Sequence, residues 1–181
     1  NGYNPNNPEN IKAGTANKYM YEVYCLGIKA ERPNKIYNGW SEIPDDFFEK
    51  IPADSYYALD FGLSSPNALV QIKTDGKKNF YIKELMYLDS KQLDGSLGNH
   101  IKKHFPYIVD HNGLIICDSA KQTAIDDLRA DGLSAVGAIK GSGSLLTGIN
   151  TLQAAKIFYT RGSRNIENEY DMYSFDVDRY G

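Results

Sequence analysis

The chain has 181 residues, 41% of them hydrophobic and 24% charged, the ordinary range of a single globular α/β domain with one compact core. Its net charge of −3 argues against a broad basic face gripping nucleic acid, while a site of clustered carboxylates, whose bound divalent ions supply the positive charge, stays open. No run is long and apolar enough to span a bilayer and no basic segment followed by an apolar stretch marks a signal peptide, so a cytosolic chain with no membrane partner is expected.

In chain order, Asn1 to Asn10 are mostly Asn and Pro, and residues 1–16 read as a linker from something upstream. Tyr21, Tyr24, Cys25 and Ile28 fall at helical spacing and predict an amphipathic helix over Asn17 to Ile28. Arg32 to Pro52 is broken by Pro33, Gly39, Pro44 and Pro52 and holds the only tryptophan, Trp40. It reads as an ordered arm with little regular structure, so 17–52 is taken as helix and arm packing on a core domain, 53–181. Cys25 and Cys117 both stand among apolar neighbours and read as two reduced core thiols.

The core begins at Tyr56 to Phe61, an apolar run ended by Gly62 that suits a strand buried on both faces. Strands over Ala68 to Lys73 and Asn79 to Leu88 follow, separated by Thr74-Asp75-Gly76-Lys77, a tight-turn signal, and the three make an antiparallel meander. A helix over Ser96 to His104 turns Leu97 and Ile101 inward. Leu114 to Asp118 is again an apolar strand ending in an aspartate, and Ser119-Ala120 turns into a helix over Gln122 to Ala130, closed by Gly132. Val136 to Ile139 reads as a strand, Ser144 to Ala155 as a helix with Leu145, Ile149 and Leu152 on one face, and Ile157 to Tyr159 as an edge strand. Three antiparallel strands followed by alternating helix and strand specify a mixed sheet covered by helices, an α/β fold.

Asp60 and Asp118 close two strands expected to be buried, where a lone ionised carboxylate is expensive. One such aspartate is read as a cap of the next turn or helix. Two at equivalent places point to a shared hard cation, Mg²⁺ or Mn²⁺, which wants oxygen ligands and relieves the repulsion between carboxylates. Glu84 is a third candidate: period-two alternation puts it on the face of Ile82 and Met86, an acid on an apolar face, although a solvated edge-strand glutamate fits the same pattern.

Three other motifs carry no function. Asp60-Phe61-Gly62 matches the kinase metal-binding tripeptide, but no glycine-rich loop or His-Arg-Asp precedes it. Gly141-Ser142-Gly143-Ser144 lacks a lysine after its glycines, so it is not a nucleotide-binding P-loop. His100 and His104, four apart on a helix without a Glu or Cys partner at useful spacing, read as a solvated face.

As a whole the chain resembles the C-terminal nuclease domain of the large terminase subunit of tailed phages, the enzyme that cuts concatemeric DNA during packaging. Leu59-Asp60-Phe61-Gly62 with Pro66 looks like that family's first catalytic strand, and Cys117-Asp118-Ser119-Ala120 like its second acidic strand. Lys140-Gly141, then Ser144 and Gly148-Ile149, resembles its Lys-Gly loop and following helix, and Ile36-Tyr37 with Trp40 resembles the arm before the nuclease core.

The resemblance implies a ribonuclease-H-like fold and a two-metal endodeoxyribonuclease, with ions roughly 3.5–4 Å apart. Asp60 would bridge both ions, Asp118 and Glu84 would complete the shell, and Lys121 and Lys140 would meet DNA phosphates. The implied partners are double-stranded DNA, an upstream ATPase domain of the same polypeptide, the portal and the small terminase subunit, in the cytoplasm of a bacterial host. The family also places a metal-binding aspartate on a helix that would lie beyond Gly181. Asp171, Asp176 and Asp178 read as pointing to water from a helix that packs through Ile166, Tyr170 and Tyr173, so a truncated chain with weak metal affinity and impaired cleavage is expected. Another ribonuclease-H-like nuclease, of resolvase or integrase type, would share the acids without the arm and Lys-Gly loop. A noncatalytic domain of the same fold that binds a partner would show no metal dependence.

Overall fold

A computed structural model describes residues 2–28, 34–62, 64–118 and 121–175. The chain forms two compact units, Gly39–Glu167 and a smaller one made of Asn1–Asn38 with Asn168–Gly181.

The smaller unit holds α1 (Pro8–Lys12) and α2 (Lys18–Met20), which runs into a π-helical turn, Tyr21–Cys25. Asn7 and Asn17 start the two helices, each side-chain oxygen accepting a first-turn N–H. The amphipathic helix expected over Asn17 to Ile28 is therefore shorter, and its stripe is not a core face: Tyr24 is 70% exposed and Cys25 is exposed as well. Without a surface to pack on, helical spacing does not sustain so short a segment. In the same unit the Lys35 ammonium lies 3.3 Å from the centre of the Tyr170 ring and 2.9 Å from an Asp171 oxygen, and Tyr37 stacks on Tyr173. Asp171 is thus ion-paired rather than simply solvated. Asp176 and Asp178 lie outside the described residues.

The larger unit is built on a seven-stranded mixed sheet. Its strands are β1 (Ser41–Ile43), β2 (Ser55–Asp60), β3 (Asn67–Thr74), β4 (Asn79–Leu88), β5 (Ile115–Cys117), β6 (Ala135–Gly137) and β7 (Lys156–Thr160), in the spatial order β1-β7-β4-β3-β2-β5-β6. The expected meander is β2-β3-β4, all antiparallel, while β5 and β6 extend the sheet parallel to β2 on one side and β7 and β1 extend it parallel to β4 on the other. β7 is therefore an inner strand, not an edge. Its outer neighbour, β1, comes from the arm read as irregular, where β1 and α3 (Asp45–Glu49) fit between the prolines.

Helices α4 (Leu97–His104), α5 (Pro106–Asp110) and α6 (Gln122–Ala130) bring Ile101, Ile108, Ile125 and Leu128 onto one sheet face, against Leu59, Leu69, Met86, Ile115 and Cys117. β3 alternates buried and half-buried along its whole length, the pattern of a strand with one core-facing side. A bulge between Leu69 and Val70 pairs Leu69 with Met86 but Val70 with Glu84. The extra residue, Leu85, joins Met86 on the core face, so Glu84 keeps the face of Ile82 but not that of Met86; uninterrupted alternation does not survive a bulge. Further on, α7 (Ser144–Gln153) buries Ile149 but leaves Leu145 exposed. Ile139 lies beyond the end of β6 and is fully exposed. α8 (Arg164–Met172) has its first turn in the larger unit, which ends at Glu167. Among the described residues no helix is long and apolar enough to cross a membrane.

Candidate metal centre

Strands β2 and β5 are parallel neighbours in which Leu59 pairs with Cys117, and the ladder continues with the Asp118 N–H donating to the Leu59 carbonyl at 3.2 Å. Asp60 and Asp118 are the next residue on each strand. Their backbones consequently stand side by side, about 4.8 Å apart, at the carboxyl ends of parallel strands, the end where open α/β sheets bind ligands. Because Leu59 and Cys117 point into the core, alternation turns both aspartates to the opposite face. Asp60 is exposed and Asp118 half-buried.

Gly62 makes the exit from β2 possible. A Cβ there would stand 1.7 Å from the Ser65 carbonyl oxygen, so the chain can fold back only over glycine. Asn67 fastens the return, accepting the Gly62 N–H at 3.1 Å and donating to the Leu88 carbonyl. The Ser119-Ala120 turn lies outside the described residues.

Two lysines frame the pair. Lys140, beyond β6, places its ammonium 2.5 Å from Asp118 Oδ1, and Lys121 donates to the Phe61 carbonyl at 2.7 Å. The donor set suits a hard divalent ion: two carboxylates on rigid neighbouring strand ends, one already holding a cationic group.

Glu84 is not brought to this place. It is two strands and two register positions from Asp60, roughly 12 Å by strand geometry. Its carboxylate instead caps α8: Oε2 accepts the N–H groups of Asn165 (3.0 Å) and Ile166 (3.1 Å), and Oε1 accepts the Asn165 side-chain amide at 2.7 Å. The Glu84 N–H in turn donates to Ser163 Oγ, which bonds Thr160 Oγ1. Three donors at a helix N-terminus account for the acid on an apolar face.

The structure also gathers a group that sequence spacing missed. His100 is 6% exposed, not solvated, and Asp94, from the loop ahead of α4, joins it and His104. The signal was the histidine pair at i, i+4; its partner lay N-terminal to the helix.

No protein-family model and no curated protein sequence matches the chain. Among solved structures, the g2p large terminase nuclease domain of bacteriophage SPP1, determined with bound Mn, superposes with a TM-score of 0.64 at 21% identity, covering 80% of this chain and 84% of that one. The large terminase of a thermophilic bacteriophage gives 0.62 at 20% identity over 92% of this chain, which spans only 44% of that protein. The P22 large terminase nuclease domain gives 0.54 at 15% identity, covering 80% and 78% of the two chains. The seven-stranded mixed sheet with its flanking helices is thus the ribonuclease-H-like fold of phage large terminase nuclease domains.

Proposed function

We propose that the chain is a metal-dependent endonuclease domain of a phage large terminase, cutting concatemeric double-stranded DNA during genome packaging. The observation that carries the reading is the side-by-side placement of Asp60 and Asp118 at the ends of β2 and β5, in a fold shared with a nuclease domain solved with bound Mn. Asp60 would bridge two Mg²⁺ or Mn²⁺ ions and Asp118 would hold one of them. Such ions, when bound, lower the pKa of water and neutralise charge on the phosphate and the leaving oxygen. The chain's own part is to fix the carboxylates on rigid strand ends and to present cations beside them. Lys140, paired with Asp118, would meet a DNA phosphate beside the carboxylates that hold the ions, and Lys121, bonded to the Phe61 carbonyl, would share this role. Glu84, occupied by α8, positions that helix and is left out of the ligand set.

An upstream ATPase domain, the portal and the small terminase subunit would complete the machine in the bacterial cytoplasm. The test is relaxation and linearisation of supercoiled plasmid in Mn²⁺ and Mg²⁺ by the wild-type protein, Asp60→Asn and Asp118→Asn. Cutting that EDTA abolishes and either substitution lowers by about a hundredfold or more supports the reading. Cutting by Asp60→Asn at the wild-type rate removes it, and no cutting by the wild-type protein favours a partner-binding domain.

A further inference from the structure

The chain between β4 and α4 makes a short 3-10 turn, Ser90–Gln92, then reaches Asp94 and enters the helix at its cap, Ser96. α4 places His100 and His104 one turn apart on the side facing that loop, their ring centres 4.3 Å from each other. Asp94 meets both. Its backbone N–H donates to His100 Nδ1 at 3.0 Å, and its Oδ2 lies 2.7 Å from His104 Nε2. The donor atoms of the three side chains all fall within 4.8 Å of one another.

We propose that Asp94, His100 and His104 form a binding site for a borderline transition-metal dication of the Zn²⁺ type, at the entrance to α4 and separate from the aspartate pair. Two imidazoles and one carboxylate are the ligand set of Zn²⁺ sites that keep a fourth position for water, and imidazole selects such ions over Mg²⁺. Tetrahedral bonds of about 2.0–2.1 Å set donors roughly 3.3 Å apart. Closing from 4.8 Å asks for rotation of the Asp94 and His104 side chains, which are 49% and 43% exposed, and for the Asp94 backbone N–H to leave His100 Nδ1, while the buried His100 ring is the fixed point. The Nδ1 of His100 is unprotonated, and its lone pair, which accepts the Asp94 N–H, becomes available to a metal once the loop backbone at Asp94 swings aside. The metal takes the place of the proton His104 Nε2 shares with Asp94: from the imidazolium that proton goes to solvent, and in the neutral ring it moves to Nδ1.

Lys103 is the built-in competitor, its ammonium 3.0 Å from the same Asp94 oxygen. That pair is exposed, so little is lost when it opens. The site would staple the β4–α4 loop to the helix, a structural role independent of DNA cleavage. It also lies on a helix that packs on the core face of the sheet, whereas Asp60 and Asp118 project from the other face.

The experiment is calorimetric titration of the 181-residue chain carrying Cys25→Ser with ZnSO₄, paralleled by the visible absorption of Co²⁺ in place of zinc. With Asp60→Asn and Asp118→Asn in place to silence the aspartate pair, one equivalent should bind and raise the melting temperature. Affinity should fall about tenfold or more in His104→Gln and Asp94→Asn, rise in Lys103→Met, and be unchanged in the Asp60→Asn, Asp118→Asn double variant. Absence of binding, or binding unaltered in His104→Gln, overturns the site. Zinc lost from the Asp60→Asn, Asp118→Asn protein but kept by His104→Gln would also overturn it, assigning the ion to the aspartate pair. His104 is exposed at the surface, so its variant reports on binding even where a change at His100 disturbs packing.

Discussion

Cys117 ends β5 in the middle of the core and is 1% exposed. Burial pushes its thiol up to about 11, and since the thiolate is the reactive species, it is shielded by both chemistry and access. Cys25 is exposed. Native protein should therefore react with a thiol-specific chromogenic reagent at one site, Cys25, with Cys117 following only in denaturant; equal rates for both thiols in the folded protein would contradict this placement. Asp118, one residue beyond Cys117, turns to the other face and meets Lys140. An ion pair with both partners this exposed contributes no more than about 1 kcal/mol, so Lys140→Ala should scarcely move the melting temperature while changing the metal and DNA response of the aspartate site.

At the scale of elements, the junction of β4 and α8 is the clearest division of labour among the acids. Glu84 supplies through its side chain what a helix ordinarily takes from its own cap residue, and the bulge at Leu69/Val70 gives it the face from which it can do so. Removing it would strand the first-turn N–H groups of Asn165 and Ile166, since charge-assisted hydrogen bonds of this type are each worth about 1.5–3 kcal/mol. Glu84→Ala should thus lower unfolding free energy by about 2 kcal/mol or more and speed amide exchange at Asn165 and Ile166, with Glu84→Gln intermediate. Asp60→Asn should leave stability within about 0.5 kcal/mol. Urea unfolding distinguishes the two, and a Glu84→Ala protein as stable as wild type would end the capping account.

For the molecule as a whole, stability of the metal-free protein should rise with pH on the acid side and fall on the alkaline side. His104 and then Lys103 hold the Asp94 carboxyl down to about 2, below the roughly 3.9 of an unfolded chain. Its contribution is complete above that unfolded value and lost as pH falls through the folded one. His100 is also lowered, first by burial, then by the positive charge of His104 and Lys103, with Asp94 opposing; protonation therefore favours the unfolded chain once pH drops below about 6.5. Cys117 and Tyr107 act in the opposite sense. Burial raises them to about 11 and about 12, so the stability they add is present below their unfolded values and lost as pH climbs through the folded ones. Melting temperature against pH in EDTA should show a plateau between about pH 7 and 8.5, and His100→Gln should flatten the slope below about 6.5; an unchanged slope would remove His100 from the account.

Local pattern alone carries much of this protein. The limits of β4 and α6 follow from hydrophobic period and turn residues, because those signals act over a few neighbours. Asp60 and Asp118 stand out because each ends an apolar run. The resemblance to terminase nuclease domains rests on such short segments in order, and the fold agrees with it. Decisions that depend on distant partners lay beyond that reach. β7 is internal because β1, more than a hundred residues away in sequence, pairs with its outer edge. Glu84 is drawn to α8 by groups 81 and 82 positions later, and a bulge, invisible to alternation, sets the face it uses. His100 is buried with Asp94 beside it because α4 packs on the sheet. Sequence determined which short segments could be strand or helix and which acids were out of place. Tertiary structure decided what those acids and histidines touch, because pairing and burial are set by long-range contacts that no window of neighbouring residues contains.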